Sequence, residues 1–227
     1  MASYNSVQSI DDYLHQLIRL VGNGYIFYFH IELGPRKNPE ATQQRLIDTW
    51  GLEIPYWKRE KRRRGELPSI WLLRYKNQIT MFSTYGRTKD GENDHPFFTE
   101  NAERIENIRR TALCFQGYSI RYPISKTTGK RKLFIRLDKD CYLNLKSRMC
   151  REGIMARYRD REAMEARFAA LPYQPYEEVY KQMSIVLDEV NKRRRYKGYK
   201  ELRKSCIPNR IRTPKALRRE REIAQAA

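Results

Sequence analysis

Three observations predict an α+β fold with a basic appendage. Between Ser9 and Asp138, short stretches of period-two apolar alternation interleave with helical apolar stripes. Beyond Asp138 the alternation ends and only the helical period remains. The positive charge is concentrated in two segments instead of being spread along the chain.

Ser9 to Val21 is the first predicted helix. Ile10, Tyr13, Leu14, Leu17, Ile18 and Val21 form one stripe, and Ser9 with Asp12 makes a variant capping box. Gly22-Asn23-Gly24 ends it and feeds the most continuous apolar run, Tyr25–Leu33 (YIFYFHIEL), which reads as a strand. Tyr25, Phe27, Phe29, Ile31 and Leu33 share one face, expected in the core. Ile26, Tyr28, His30 and Glu32 share the other. Asn38, Pro39 and Glu40 open a second helix that reaches Trp50 and stops at Gly51. Ile70–Tyr75 and Gln78–Tyr85 are strand-like around Lys76-Asn77. Thr99 to Phe115 reads as a helix, with Ile105, Ile108 and Ala112 inward. Tyr118–Ser125 and Arg131–Asp138 form a hairpin across Lys126–Lys130. Three helices follow: one around Tyr142–Met149, one over Asp160–Leu171 and one over Tyr176–Arg195.

The order from Tyr25 to Asp138 is β-α-β-β-α-β with one extra strand. It predicts a ferredoxin-like split βαβ antiparallel sheet with helices on one face. The predicted organisation is an α+β sheet domain over 1–150, a helical extension over 151–198 and a basic, partly disordered arm over 199–227.

The formal net charge is +19, with a pI near 9.9. Such an imbalance resists compaction and calls for a polyanionic partner. Lys58–Arg64 holds six basic residues and one acid, and Asn191–Glu222 holds fourteen and three, whereas the first 57 residues hold four and six. The candidate phosphate ligands are therefore Lys58, Arg59, Lys61, Arg62, Arg63 and Arg64 in the loop. In the C-terminal segment they are Lys192, Arg193, Arg194, Arg195, Lys197, Arg203, Lys204, Arg210, Arg212, Lys215, Arg218 and Arg219. Tyr196 and Tyr199 interleave with these charges, and Tyr28, Trp71 and Tyr75 are possible stacking platforms on an open sheet. No segment matches the aromatic octapeptide of the RNA-recognition version of this fold. The expected function is nucleic-acid binding by phosphate capture, in DNA replication or mobile-element transactions, with an RNA-binding or ribonucleoprotein role as an alternative. Protein partners within a nucleoprotein complex are compatible with this. The expected compartment is the cytoplasm. No leader sequence, spanning segment or membrane partner is expected.

Catalytic candidates are sparse. His30 and Glu32, two apart on one strand face, have the residue types for a base beside an orienting acid. Tyr176 and Tyr180 share one helix face at a spacing of four. Two tyrosines on a helix beside such a sheet resemble rolling-circle replication initiators and relaxases. That resemblance implies a metal-dependent tyrosine nuclease with Tyr176 or Tyr180 attacking a DNA phosphate. His30 and Glu32 would stand where that family has a His-hydrophobic-His motif, and Mg²⁺ or Mn²⁺ would be the cofactor of that alternative alone. Asp138 and Asp140 after a strand have the spacing with which palm-like polymerases hold two metals, and also suit a helix N-cap. Otherwise no metal or cofactor is expected. Cys114, Cys141, Cys150 and Cys206 have no metal-knuckle spacing and are expected as thiols. Neither a phosphate-binding loop nor a dinucleotide fingerprint is present.

Overall fold

The computed structural model describes residues 4–55, 57–58, 61, 68–84, 95–125 and 129–209. The chain folds as two compact units. The first is built from the described residues of Met1–Leu113 and Arg121–Leu133, the second from those of Cys114–Ile120 and Phe134–Ala227. The architecture is mixed α+β. Among the described residues no helix is long and apolar enough to cross a membrane.

The first unit begins with a short strand, β1 (Tyr4–Val7), absent from the sequence expectation. It then contains α1 (Ile10–Gly22), β2 (Phe27–Glu32), α2 (Pro39–Trp50), β3 (Ile70–Tyr75), β4 (Gln78–Ser83), the single-turn α3 (Pro96–Thr99) and β5 (Glu106–Asn107). Local chemistry fixes the helix starts. Ser9 Oγ accepts the Asp12 amide, and Asn38 Oδ1 accepts the amides of Glu40 and Ala41. Gly51, left-handed at φ 53°, closes α2.

The five strands form one sheet in the order β1-β3-β4-β2-β5. β1 runs parallel to β3, and every other pair is antiparallel. Register divides the side chains cleanly. Phe29, Met81 and Leu72 stand abreast on one face, joined by Leu33, Ile79 and Ile70, and α2 and α3 cover them with Ile47 and Phe97. The core thus forms where expected on β2. The opposite face carries Tyr28, His30, Thr80, Phe82, Leu73, Trp71 and Tyr75, and α1 lies across it, its Tyr13 phenol on Thr80.

Two expectations are corrected here. Helices cover both faces of the sheet, not one: β3 is apolar on both sides, and β4 is buried on both, its Thr80 taken up by the Tyr13 phenol. The helix expected over Thr99–Phe115 is one turn, Pro96–Thr99. Asn107 captures the following backbone: its side chain accepts the Arg109 amide, and its carbonyl accepts those of Arg110 and Thr111. Ile108, whose spacing suggested a helix, is buried by pairing with neighbouring chain instead. Its amide donates to Ile26 and its carbonyl accepts from Tyr122.

The second unit holds a three-stranded sheet, all but its end residues Leu113 and Arg121, in the order β6 (Leu113–Phe115), β7 (Tyr118–Arg121), β8 (Phe134–Leu137). It continues with α4 (Lys139–Glu152), α5 (Arg161–Ala169) and α6 (Glu177–Tyr196). Asp138 caps α4, accepting the Cys141 amide at 2.7 Å. The stripe of α6 is buried through Val179, Met183, Val186, Leu187 and Val190. Gln182 holds β8 with two hydrogen bonds, its Oε1 accepting the Leu137 amide and its Nε2 donating to the Leu137 carbonyl. After α6, the chain folds back. Asn191 bonds both backbone groups of Leu202, and Leu202, Cys206 and Ile207 are buried. The segment 199–209, expected to begin a loose arm, is therefore packed on the helix that precedes it. The arm residues Arg210, Arg212, Lys215, Arg218 and Arg219 lie outside the described residues, as do Arg59, Arg62, Arg63 and Arg64 of the first basic segment.

Candidate nucleic-acid interface

The charged end of α6 is built around one arginine. Three consecutive arginines, Arg193–Arg195, occupy its last turn, where cations complement the helix dipole. The middle one turns inward. Arg194 is 0% exposed, continuing the stripe of Leu187 and Val190. Its guanidinium donates to four carbonyls: Nε to Lys200 (2.8 Å), Nη1 to Gly153 (3.0 Å) and Tyr158 (2.6 Å), and Nη2 to Arg159 (2.9 Å). The Tyr199 ring lies 5.5 Å from it. Burial lowers its pKa from the ordinary arginine value, with the Tyr199 and Glu165 charges opposing. This corrects the expectation for Arg194: every described contact of its guanidinium is internal, and it is closed to a phosphate.

That buried cation draws two loops to the C-terminal end of α6. One runs from Gly153 through Tyr158 and Arg159, the other through Tyr199 and Lys200. Each loop brings exposed charge of its own. Arg157, Arg159, Lys192, Arg193, Lys197 and Lys200 are all exposed and make no ion pair among the described residues. Tyr196, at 90% exposure, stands among them. Arg157, Arg159 and Lys200 are additions to the sequence expectation. The run Arg157-Tyr158-Arg159, basic and aromatic in alternation, is the local sign of the first two.

Other expected ligands are partly spent. Arg195 pairs with Glu201 at 3.6 Å. Arg203 grips Glu165 through Nε and Nη2, and its own amide adds a third tie. The Arg203 hydrogen bond, foremost, holds the Glu165 carboxyl below its ordinary range. Lys204 is exposed, as are Lys58 and Lys61, which are helical in the structure instead of lying in the loop expected there.

The aromatic platforms expected on the sheet are covered. Tyr28, Trp71 and Tyr75 are buried because α1 occupies their face. The catalytic candidates fall in separate units: His30 and Glu32 in the first, Tyr176 and Tyr180 in the second. His30 pairs across the sheet with Thr80, whose hydroxyl lies 2.8 Å from Nδ1 and 2.5 Å from the Tyr13 phenol. Burial lowers the His30 pKa, partly offset by Glu32. A neutral ring accepting from Thr80, which accepts in turn from Tyr13, satisfies this arrangement. Glu32 is exposed at the strand end. Tyr176 is only 2% exposed at the start of α6, a burial that keeps a phenol from an external phosphodiester, and Tyr180 is half-buried on the stripe. Asp138 is engaged as a helix cap, while Asp140 is exposed. Among the described residues, no group of three or more His, Cys, Asp or Glu side chains is placed to hold a metal ion.

No protein-family model, curated protein or solved structure matches this chain.

Proposed function

We propose that this protein binds nucleic acid by holding backbone phosphates on the C-terminal end of α6. One observation carries the reading. Arg194 is consumed inside the unit, and its carbonyl bonds bring Arg157, Arg159 and Lys200 of two loops to the helix end that carries Lys192, Arg193 and Lys197, six exposed cations with no ion pair among the described residues. Assembling like charges this way is unfavourable unless an anion offsets it, and a phosphodiester chain offers regularly spaced ones. Tyr196 among the cations suits a strand whose bases are free to stack. Phosphate capture is common to DNA and RNA, so the predicted binding tolerates sequence change. Within the same reading, β5-β2-β4-β3 with α2 and α3 on one face is a reduced ferredoxin-like unit, to which β1 and α1 are added. Its scaffold role is to hold the basic segment that contains the helical Lys58 and Lys61.

The test is binding of labelled single-stranded DNA and RNA oligonucleotides across a salt series. Lys197→Gln with Lys200→Gln is expected to weaken binding and flatten the salt dependence by about 0.7 per lost contact on a single strand. Unchanged binding in that variant overturns the placement on α6.

A further inference from the structure

The longest acid-free stretch of the sequence contributes to both units, and its arginines at 109, 110, 121 and 131 belong to the first. From Asn107 to Leu137 the sequence has no Asp or Glu, yet it contains Arg109, Arg110, Arg121, Lys126, Lys130, Arg131, Lys132 and Arg136. Backbone bonding lays three pieces of it side by side. Tyr122 donates to Ile108 at 2.9 Å, joining the 107–111 turn to the segment after β7. That segment pairs in turn with 130–132: Ile124 bridges Arg131, Lys132 donates to Pro123 and Ser125 donates to Lys130.

The turn itself is rigid. Ile108 is buried at its base, and Asn107 receives the amides of Arg109, Arg110 and Thr111. Arg121 Nη2 donates to the Arg110 carbonyl at 2.6 Å, which sets a third guanidinium against the turn. Arg109, Arg110, Arg121 and Arg131 are all exposed, and none makes an ion pair among the described residues. The neighbouring acid in sequence, Glu106, is occupied by the Tyr28 phenol at 2.6 Å. The electrostatics agree: beyond its own burial, Arg109 is pushed toward a lower pKa by the Arg131 charge, with Tyr122 opposing.

We infer that Arg109, Arg110, Arg121 and Arg131 form a second phosphate platform, on the first unit, that takes nucleic-acid backbone of the same kind as the end of α6. The proposal rests on the nucleic-acid reading above. It differs in assigning contacts to residues outside both basic segments that the sequence singles out. Four guanidiniums on a fixed turn and hairpin match a run of phosphates, because each can fork onto two oxygens. The half-buried Tyr122 beside Arg109 is part of the floor of this surface.

The experiment is equilibrium binding of labelled mixed-sequence single-stranded DNA, single-stranded RNA and duplex DNA across a salt series. It compares the intact chain with Arg109→Gln/Arg131→Gln and with Arg109→Lys/Arg131→Lys. The Gln variant is expected to bind about 10- to 30-fold more weakly near 0.1 M salt, with a salt slope shallower by about 1.4 on single strands. The Lys variant keeps the charge and is expected to restore most of that slope. Binding by the intact chain with an unchanged slope in the Gln variant overturns this inference and leaves the α6 reading standing. Failure of the intact chain to bind in any arm overturns the nucleic-acid reading itself. Folding is checked by melting without nucleic acid at low salt. Removing two like charges is expected to leave the melting temperature equal or higher, and a clear fall would mean that the pair is structural.

Discussion

Replacing Arg194 with lysine separates a buried structural cation from a surface phosphate ligand. The substitution keeps the charge and much of the length. What it removes is the planar fork that reaches the carbonyls of Lys200, Gly153, Tyr158 and Arg159 together. An ammonium is a single point with three donors, and the four carbonyls come from two separate loops. Two lost bonds at about 1.5 kcal/mol each give a destabilisation of about 3 kcal/mol. For a chain of this size that lowers the melting temperature of the unit holding α6 by about 10 °C. Calorimetry or a urea transition followed by circular dichroism reads this directly. Arg193→Lys, on the exposed neighbour, is the control and is expected to stay within about 0.5 kcal/mol. If Arg194→Lys melts within about 2 °C of the native chain, the four-carbonyl clamp does not carry the stability assigned to it.

Two further outcomes follow from close packing and burial. A Cβ on Gly153 would stand 2.7 Å from Val190 Cγ1 and 3.2 Å from the Met149 carbonyl, so Gly153→Ala is expected to cost about 1–3 kcal/mol. Adding Val190→Ala is expected to reduce the penalty of Gly153→Ala, measured against Val190→Ala alone in a double-mutant urea series; equal penalties in the two backgrounds would contradict the clash. Because burial lowers the His30 pKa, the unfolded chain takes up a proton at His30 more readily than the folded one. Stability at this site is therefore complete above the ordinary histidine value and declines as pH falls below about 6.5. Urea midpoints of the native chain minus those of His30→Gln, taken from neutral to mildly acid pH, are expected to show that decline. A difference independent of pH contradicts it.

Capping chemistry was legible in the sequence because it is local. Ser9, Asn38 and Asp138 each act within three residues, and each caps the helix it was expected to begin. The period-two and helical stripes likewise placed β2, β3, β4, α1 and α2. The layering was not legible. The stripe of α1 states which side of the helix is buried, but not which sheet face receives it, and that face was assigned to bases instead. β1 has four residues and only two apolar side chains, so its pairing with β3 has almost no local signature. The Ile105–Ile108–Ala112 spacing suited a helix, and the Asn107 turn defeated it through side-chain bonding that no periodicity records.

The candidate site divides the same way. The charge run of α6 was visible, but its three arginines look alike in sequence. Only helical phase marks Arg194: it follows Leu187 and Val190 on the buried stripe, seven and four residues on. The platform around Arg109 and Arg131 was missed because its members are scattered over 23 positions, from 109 to 131, and only backbone pairing gathers them.

The central claim is that exposed cations gathered around a buried arginine capture a phosphodiester backbone. Its most direct test is the affinity of the intact chain for a mixed-sequence single-stranded oligonucleotide, measured by fluorescence anisotropy against salt concentration. Several phosphate contacts predict a steep linear fall of log affinity with log salt, about 0.7 for each contact, with little dependence on base sequence. Affinity that does not change with salt, or no binding even at low salt, contradicts the claim.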